Sequence, residues 1–252
     1  MIHLHRGNLT QARLSYERAL LDDRAAGDGQ RLSDTLGNLG NVCAMLGDYK
    51  MAEGCYREVL EIQREHRDEN AIGQTLVNLG NVQAEAGHPQ RARAYYLEAL
   101  ELLEPLQDRR AVAILYSNIA LQDAAVGLTD DAIRNFHKSL ELHRIAGNEE
   151  GLAVTYSQLG KAFLQQGSTS QAEKCLNNAS EHFLKLGNEP GEAAVLRLLA
   201  DIYEQTGNRE SALRCLQRVV SVDVRYALTE STQDSLRLAA LQDVHRRSID
   251  QP

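Results

Sequence analysis

The sequence has no tryptophan, only three phenylalanines and only four prolines. So few prolines leave long stretches without the one residue that breaks a helix outright. β-Branched residues never gather into the alternating runs of a strand. No apolar run approaches the roughly 18 residues of a membrane span, so no membrane partner is expected. The opening residues, Met1-Ile2-His3-Leu4-His5-Arg6, lack the apolar core of a secretory signal. Positive charge is not in excess: 35 acids against 27 bases leave a net charge of −8, the wrong sign for a nucleic-acid footprint. The four cysteines, Cys43, Cys55, Cys175 and Cys215, form no C-x-x-C pair and have no His at metal-ligand spacing. They read as free thiols in a reducing cytoplasm, used as small apolar side chains. Motifs of catalysis are missing too: no H-E-x-x-H, no P-loop, no G-x-S-x-G and no dinucleotide fingerprint. No catalytic residue, no metal ligand and no cofactor is therefore assigned, and the chain is not expected to be an enzyme.

What is present is helix-forming residues in a strict rhythm. Ala, Leu, Glu, Gln and Arg are abundant, and an all-α chain follows. Gly7, Gly47, Gly87, Gly127, Gly167 and Gly207 stand 40 residues apart without slippage. Five residues after each comes an alanine, from Ala12 and Ala52 to Ala212. Nine after each comes a bulky apolar residue: Tyr16, Tyr56, Tyr96, Phe136, Leu176, Leu216. Seven before each glycine from the second on comes a small residue, Gly40, Gly80, Ala120, Gly160 or Ala200, preceded by an aliphatic one.

Each position has a physical reading. The glycine suits the left-handed residue that ends a helix. The residue after it (Asn8, Asp48, His88, Leu128, Ser168, Asn208) begins the next helix, and four of these six are good N-caps. A unit is thus helix A, a tight turn, then a longer helix B. The small residue and the alanine let A and B approach, and the bulky residue is expected to fill the space between units. Helix B ends near Gly27-Asp28, Arg67-Asp68, Gln107-Asp108, Gly147-Asn148 and Gly187-Asn188, with Pro105 and Pro190 beside two of these breaks.

The pattern resembles the tetratricopeptide repeat, in a 40-residue variant. Asn38-Leu39-Gly40-Asn41 and Asn78-Leu79-Gly80-Asn81 are similar to repeats of the LGN/Pins adaptor group and of bacterial scaffolds. The resemblance covers roughly residues 7–247. Where the family usually has tryptophan early in helix A, this chain has Leu36, Leu76, Tyr116, Tyr156 and Leu196. The resemblance implies an α-solenoid of about a dozen helices in antiparallel pairs, wound as a right-handed superhelix with helix A on the concave side. It implies a single solenoid over 1–252, with an incomplete first repeat at 1–29, full repeats at 30–228 and a C-terminal cap helix at 229–252. Ile2 and Leu4 read as the end of a helix A whose start is missing. That leaves the helix at 8–26 without its partner, as in a chain cut from a longer protein, or in one whose first helix is covered by another molecule or by a second copy.

Function is then expected on the inward positions. Nine before the glycine stand Asn38, Asn78, Asn118, Gln158 and Leu198, and six before it Asn41, Asn81, Leu121, Lys161 and Asp201. Side-chain amides offer donors and acceptors to the backbone of an extended peptide. Ile114, Leu121, Val154, Leu164 and Leu198 offer apolar pockets, with Met45 and Val77 near the first end. Lys161 and Arg197, beside Asp201 and Glu204, offer charge selection. An Asn in this place can equally bond a neighbouring helix and set repeat geometry. Chaperone-binding members of the family clamp a C-terminal carboxylate with cations. The matching positions here, Gly37 with Asn41, Asn78, and Ile114 with Asn118, lack them, so that ligand is not expected. The expected role is a cytoplasmic scaffold or adaptor for a protein or peptide. The alternative is a self-associating or regulatory module from a larger signalling protein or transcription regulator.

Overall fold

The computed structural model describes the backbone of residues 2–228 and 231–249 and the side chains of residues 8–228 and 231–243. Among these residues there are twelve α-helices, one 3-10 turn and no strand. The helices are α1 (Ile2–Ala26), α2 (Gly29–Met45), α3 (Tyr49–His66), α4 (Glu69–Glu85), α5 (Pro89–Leu103), α6 (Arg109–Ala125), α7 (Thr129–Ile145), α8 (Glu149–Gln165), α9 (Thr169–Lys185), α10 (Glu189–Gln205), α11 (Arg209–Tyr226) and α12 (Ser231–Ile249). Even-numbered helices are type A and odd-numbered ones type B. No helix is long and apolar enough to cross a membrane.

The turns follow the rhythm. Gly47, Gly87, Gly127, Gly167 and Gly207 all have φ between 76° and 82°, a region where a Cβ meets the following carbonyl. The next residue donates back to the carbonyl five positions earlier, as in Asp48 N–H to Cys43 O at 2.9 Å and Ser168 N–H to Phe163 O at 2.8 Å. This closes the helix end. The second set of stops also goes left-handed, at Gly27, Arg67, Gln107, Gly147, Gly187 and Ala227. Strong caps follow these stops: Asp28, Asp68, Asp108, Asn148 and Asn188 each accept a backbone N–H of the next helix's first turn. Pro105 turns the end of helix B into the 3-10 turn Glu104–Leu106.

Three expectations about local structure need correction. No turn forms at Gly7. α1 runs through it, and Asn8 lies inside the helix instead of capping one. Each later turn is held between two helices packed on one another, whereas continuing the helix through glycine costs only about 1 kcal/mol. The side chains of Ile2 and Leu4 lie outside the described residues. Ser168 occupies an N-cap position but its hydroxyl caps nothing. The bulky residue of helix B sits on its own unit's helix A: a Cβ on Gly40 would stand 3.0 Å from the Tyr56 ring, and one on Gly160 would stand 2.8 Å from Leu176.

Contacts group the chain into two compact units, Met1–Ala132 and Ile133–Pro252. In the first, α2 pairs with α3 and α4 with α5, and α1, α3 and α5 pack on α2, α4 and α6. Its core runs through Leu36, Leu39, Tyr56, Leu76, Leu79, Tyr96, Leu115 and Ile119. Burying a side chain of this size contributes about 1.5–3 kcal/mol. In the second unit α8 pairs with α9 and α10 with α11, α9 packs on α10, and α12 packs on α11. The register alanines Ala52, Ala92, Ala132, Ala172 and Ala212 are fully buried. All four cysteines are free and buried, and burial pushes the Cys55 and Cys175 thiols up to about 11.

Candidate functional site

In the first unit, residues 38, 78 and 118 take the same place on α2, α4 and α6, because 40-residue steps repeat each helix's rotation about its axis. Asn38 is exposed; Asn78 and Asn118 are half-buried. The amides of these three make no side-chain hydrogen bond among the described residues. Between α4 and α6 lies a cleft of about 320 Å³, lined by Gln74, Val77 and Asn78 on one side, Ala111, Ile114, Leu115 and Asn118 on the other, with Leu103 of α5 at its floor. No charged side chain lines it. Four of these residues, Asn78, Asn118, Val77 and Ile114, are among those picked from the repeat pattern. Gln74, Leu103, Ala111 and Leu115 were missed, although Gln74 and Ala111 each lie on the same helical face one turn before Asn78 or Leu115.

Asn41 and Asn81 have partners. The Tyr56 hydroxyl donates to Asn41 Oδ1 at 2.6 Å, and the Tyr96 hydroxyl to Asn81 Oδ1 at 2.7 Å. Both Asn side chains are exposed, so their NH2 groups still face solvent. Burial pushes the Tyr56 phenol up to about 12, and Tyr96 higher still. The same positions hold Leu121, 37% exposed, then Lys161 and Asp201. Over the full repeats the tyrosine and the asparagine therefore come and go together.

In the second unit the polar positions are differently occupied. Gln158 is half-buried and has a partner, and Lys161 is exposed. Arg197 does not stand free for a ligand. It bridges Asp223, which is fully buried on α11, and Asp234 of α12 at 2.7 Å. Asp201 and Glu204 are both held by Arg237 of α12, at 2.5 and 2.8 Å. Val154 is exposed and Leu198 half-buried. Among the described residues no group of His, Cys, Asp and Glu is arranged to hold a metal ion.

The tetratricopeptide repeat model matches residues 1–65, 111–185 and 153–223, and a second model of that repeat matches 75–110. The chain belongs to the tetratricopeptide repeat family. No curated protein matches it. Among solved structures it is similar to BtubC (BKLC) from P. vanneervenii, at 20% identity, covering 87% of this chain and 92% of that one, with a TM-score of 0.77. It is similar to the signal transduction ATPase PH0952 from Pyrococcus horikoshii, described as having a tetratricopeptide repeat sensor. There the identity is 16%, the coverage 86% of this chain and 34% of that one, and the TM-score 0.79. This chain thus spans about a third of that protein. It is also similar to a Rap protein complexed with competence and sporulation factor, at 16% identity, covering 95% of this chain and 75% of that one, with a TM-score of 0.64. At such identities the likeness is one of fold. The matches establish the repeat family and do not single out the LGN/Pins adaptors within it.

Proposed function

We propose that this tetratricopeptide repeat protein is a binding scaffold or adaptor that takes an extended peptide segment of a partner protein on its helix-A surface, without chemistry. The observation that carries this reading is the α4–α6 cleft. Its apolar floor accepts a side chain, while the free amides of Asn78 and Asn118 stand one repeat apart to meet a peptide backbone. Asn38 extends the row, the NH2 groups of Asn41 and Asn81 face the same solvent, and Leu121 adds apolar surface. On the second unit, taken by itself, Gln158, Lys161, Arg197 and Asp201 are assigned to partner recognition, with Arg197 and Asp201 acting within their ion pairs. The amides sit on packed helices, so little receptor ordering opposes binding. The Rap structure, complexed with a factor, supports a ligand-binding role for this fold. Buried free cysteines suit a reducing compartment such as the cytoplasm.

The test is Asn78→Ala and Asn118→Ala, singly and together, with thermal unfolding and capture of partners identified by mass spectrometry. Since neither amide bonds within the protein, stability should move by less than about 0.5 kcal/mol. Each lost ligand hydrogen bond should weaken binding about three- to tenfold. Reduced stability with unchanged capture would assign the amides to repeat geometry instead.

A second reading, self-association through α1, is favoured by one observation. Ala12 and Tyr16 are only half-buried, while their counterparts Ala52, Tyr56, Ala92 and Tyr96 are buried. The sensor named in PH0952 supports a related role as a regulatory module of a larger protein.

A further inference from the structure

We infer that the junction of α10, α11 and α12 holds one exchangeable proton on the carboxyl pair Asp223–Asp234, and that this proton sets how tightly α12 docks. The helix is held firmly while the proton is bound and loosens when it leaves.

The repeat register shows what is unusual here. Sixteen residues after the turn glycine, helix B presents Asp23, Gln63 or Asp223 to the next helix A. At the first two, a hydroxyl of that helix A supplies a donor, Thr35 to Asp23 Oδ2 at 2.7 Å and Thr75 to Gln63 Oε1 at 2.9 Å. The counterpart on α12 is Ser235, which is exposed and turns back on its own helix, donating to Ser231 O at 2.7 Å. Asp223 is fully buried, and its Oδ2 is left without a hydrogen-bond partner among the described residues. A second carboxylate comes in instead. Asp34, in the register of Asp234, is exposed and accepts from Gln30, whereas Asp234 is buried.

The charges do not balance. Arg197 of α10 gives its Nη2 to Asp223 and its Nε to Asp234 at 2.7 Å, one cation for two buried carboxylates. Two further arginines of these helices are committed elsewhere, Arg218 of α11 to Glu189 and Glu192, and Arg237 of α12 to Asp201 and Glu204. An uncompensated buried charge is costly. A single proton removes the excess and lets one carboxyl donate to the other. The charged groups acting on Asp223 are Arg197 and Asp234, and burial, with Asp234 beside it, pushes the Asp223 carboxyl up despite Arg197. A carboxyl raised by folding stabilises the fold fully below its unfolded value of about 4, and that stability is lost as pH climbs through the folded value. Firm docking of α12 therefore belongs to the acid side.

The experiment follows hydrogen exchange of α12 in the full chain from about pH 4 to about pH 8, each rate corrected for the intrinsic pH dependence of exchange. Protection of α12 should fall as pH rises, by up to about tenfold per pH unit across the carboxyl's titration, as loss of one proton requires. Asp223→Asn keeps an oxygen for Arg197, offers an NH2 to Asp234 and cannot ionise, so its α12 should stay protected throughout. Asp234→Asn removes the other carboxylate and should flatten the profile as well, with helix content as the folding control for both. Glu204→Gln weakens a different α12 contact and should lower protection while keeping the slope. A flat profile in the unaltered chain overturns the inference. So does a slope that survives in either folded asparagine variant.

Discussion

The two units use one rhythm with different chemistry at the same slot. In the first, the bulky residue of helix B is Tyr56 or Tyr96, and an asparagine of helix A in the same repeat answers its hydroxyl. In the second, the slot holds Phe136, Leu176 and Leu216, fully buried, with no hydroxyl to satisfy. The helix-A position is then released. It becomes Lys161 in one repeat, and in the next Asp201, which reaches Arg237 of the following A helix. The first unit thus ties A to its own B at this position, while in the second Asp201 ties its A helix to the next A. Buried polar groups need partners, so the identity of one side chain decides what its neighbour 15 residues earlier in the same repeat is free to do.

The largest test of that difference is Arg197→Ala. It leaves Asp223 and Asp234 facing each other without their cation, and breaking a buried pair costs about 3–5 kcal/mol. Hydrogen exchange should show α12 and the end of α11 losing protection first. The first unit should keep its own, since repeat contacts pass only between neighbours. Equal loss in both units would remove the contrast.

Alkali should act on the other side. Burial lifts Tyr56 to about 12, and burial with the Glu104 acceptor lifts Tyr116 to about 12. A phenol whose pKa is raised by folding stabilises the fold fully below its unfolded value near 10, and that stability is lost as pH climbs through the folded value. At stake is roughly 2–3 kcal/mol for each group. Part of the phenolate absorbance should therefore appear only near pH 12, from these buried tyrosines, and coincide with loss of helical signal. In the second unit burial also pushes Tyr203 up. A single step near 10 with helices intact would contradict the assigned burial.

A smaller effect is expected from Tyr96→Phe, about 1 kcal/mol or less by thermal unfolding, because the abandoned Asn81 remains exposed to water. Adding Asn81→Leu gives this repeat the residue types that the rhythm holds at positions 121 and 136, and should recover most of the loss.

Much of the fold was legible in the sequence, because glycines, alanines and bulky residues recurring every 40 positions each answer one steric demand. Part of the candidate site was legible for the same reason: a shared register places Asn78 and Asn118 on facing helices. What single positions could not show was the use made of a side chain. Asn38 and Asn41 look alike in the sequence, yet only Asn41 lies within reach of a tyrosine hydroxyl. Arg197 reads as a free cation until Asp223 and Asp234 are brought to it from two later helices. Gly7 reads as a turn because local pattern carries no information on whether a packed pair holds the turn in place.

The finest probe concerns the stops between repeats. Gly27, Gly147 and Gly187 are left-handed, and so are Arg67, Gln107 and Ala227 at the same step. A side chain in that region costs about 1–2 kcal/mol, while glycine adds back roughly 0.5–1 kcal/mol of disorder to the unfolded chain. Arg67→Gly should therefore raise stability by about 0.5–1 kcal/mol, and the mirror change Gly147→Arg should lower it by a similar amount. Two of the three stops in the first unit lack glycine, against Ala227 alone in the second, so glycine replacement should raise the denaturation midpoint of the first unit more. If Arg67→Gly lowers stability instead, the arginine side chain contributes more than its backbone strain removes, and the stops are not equivalent.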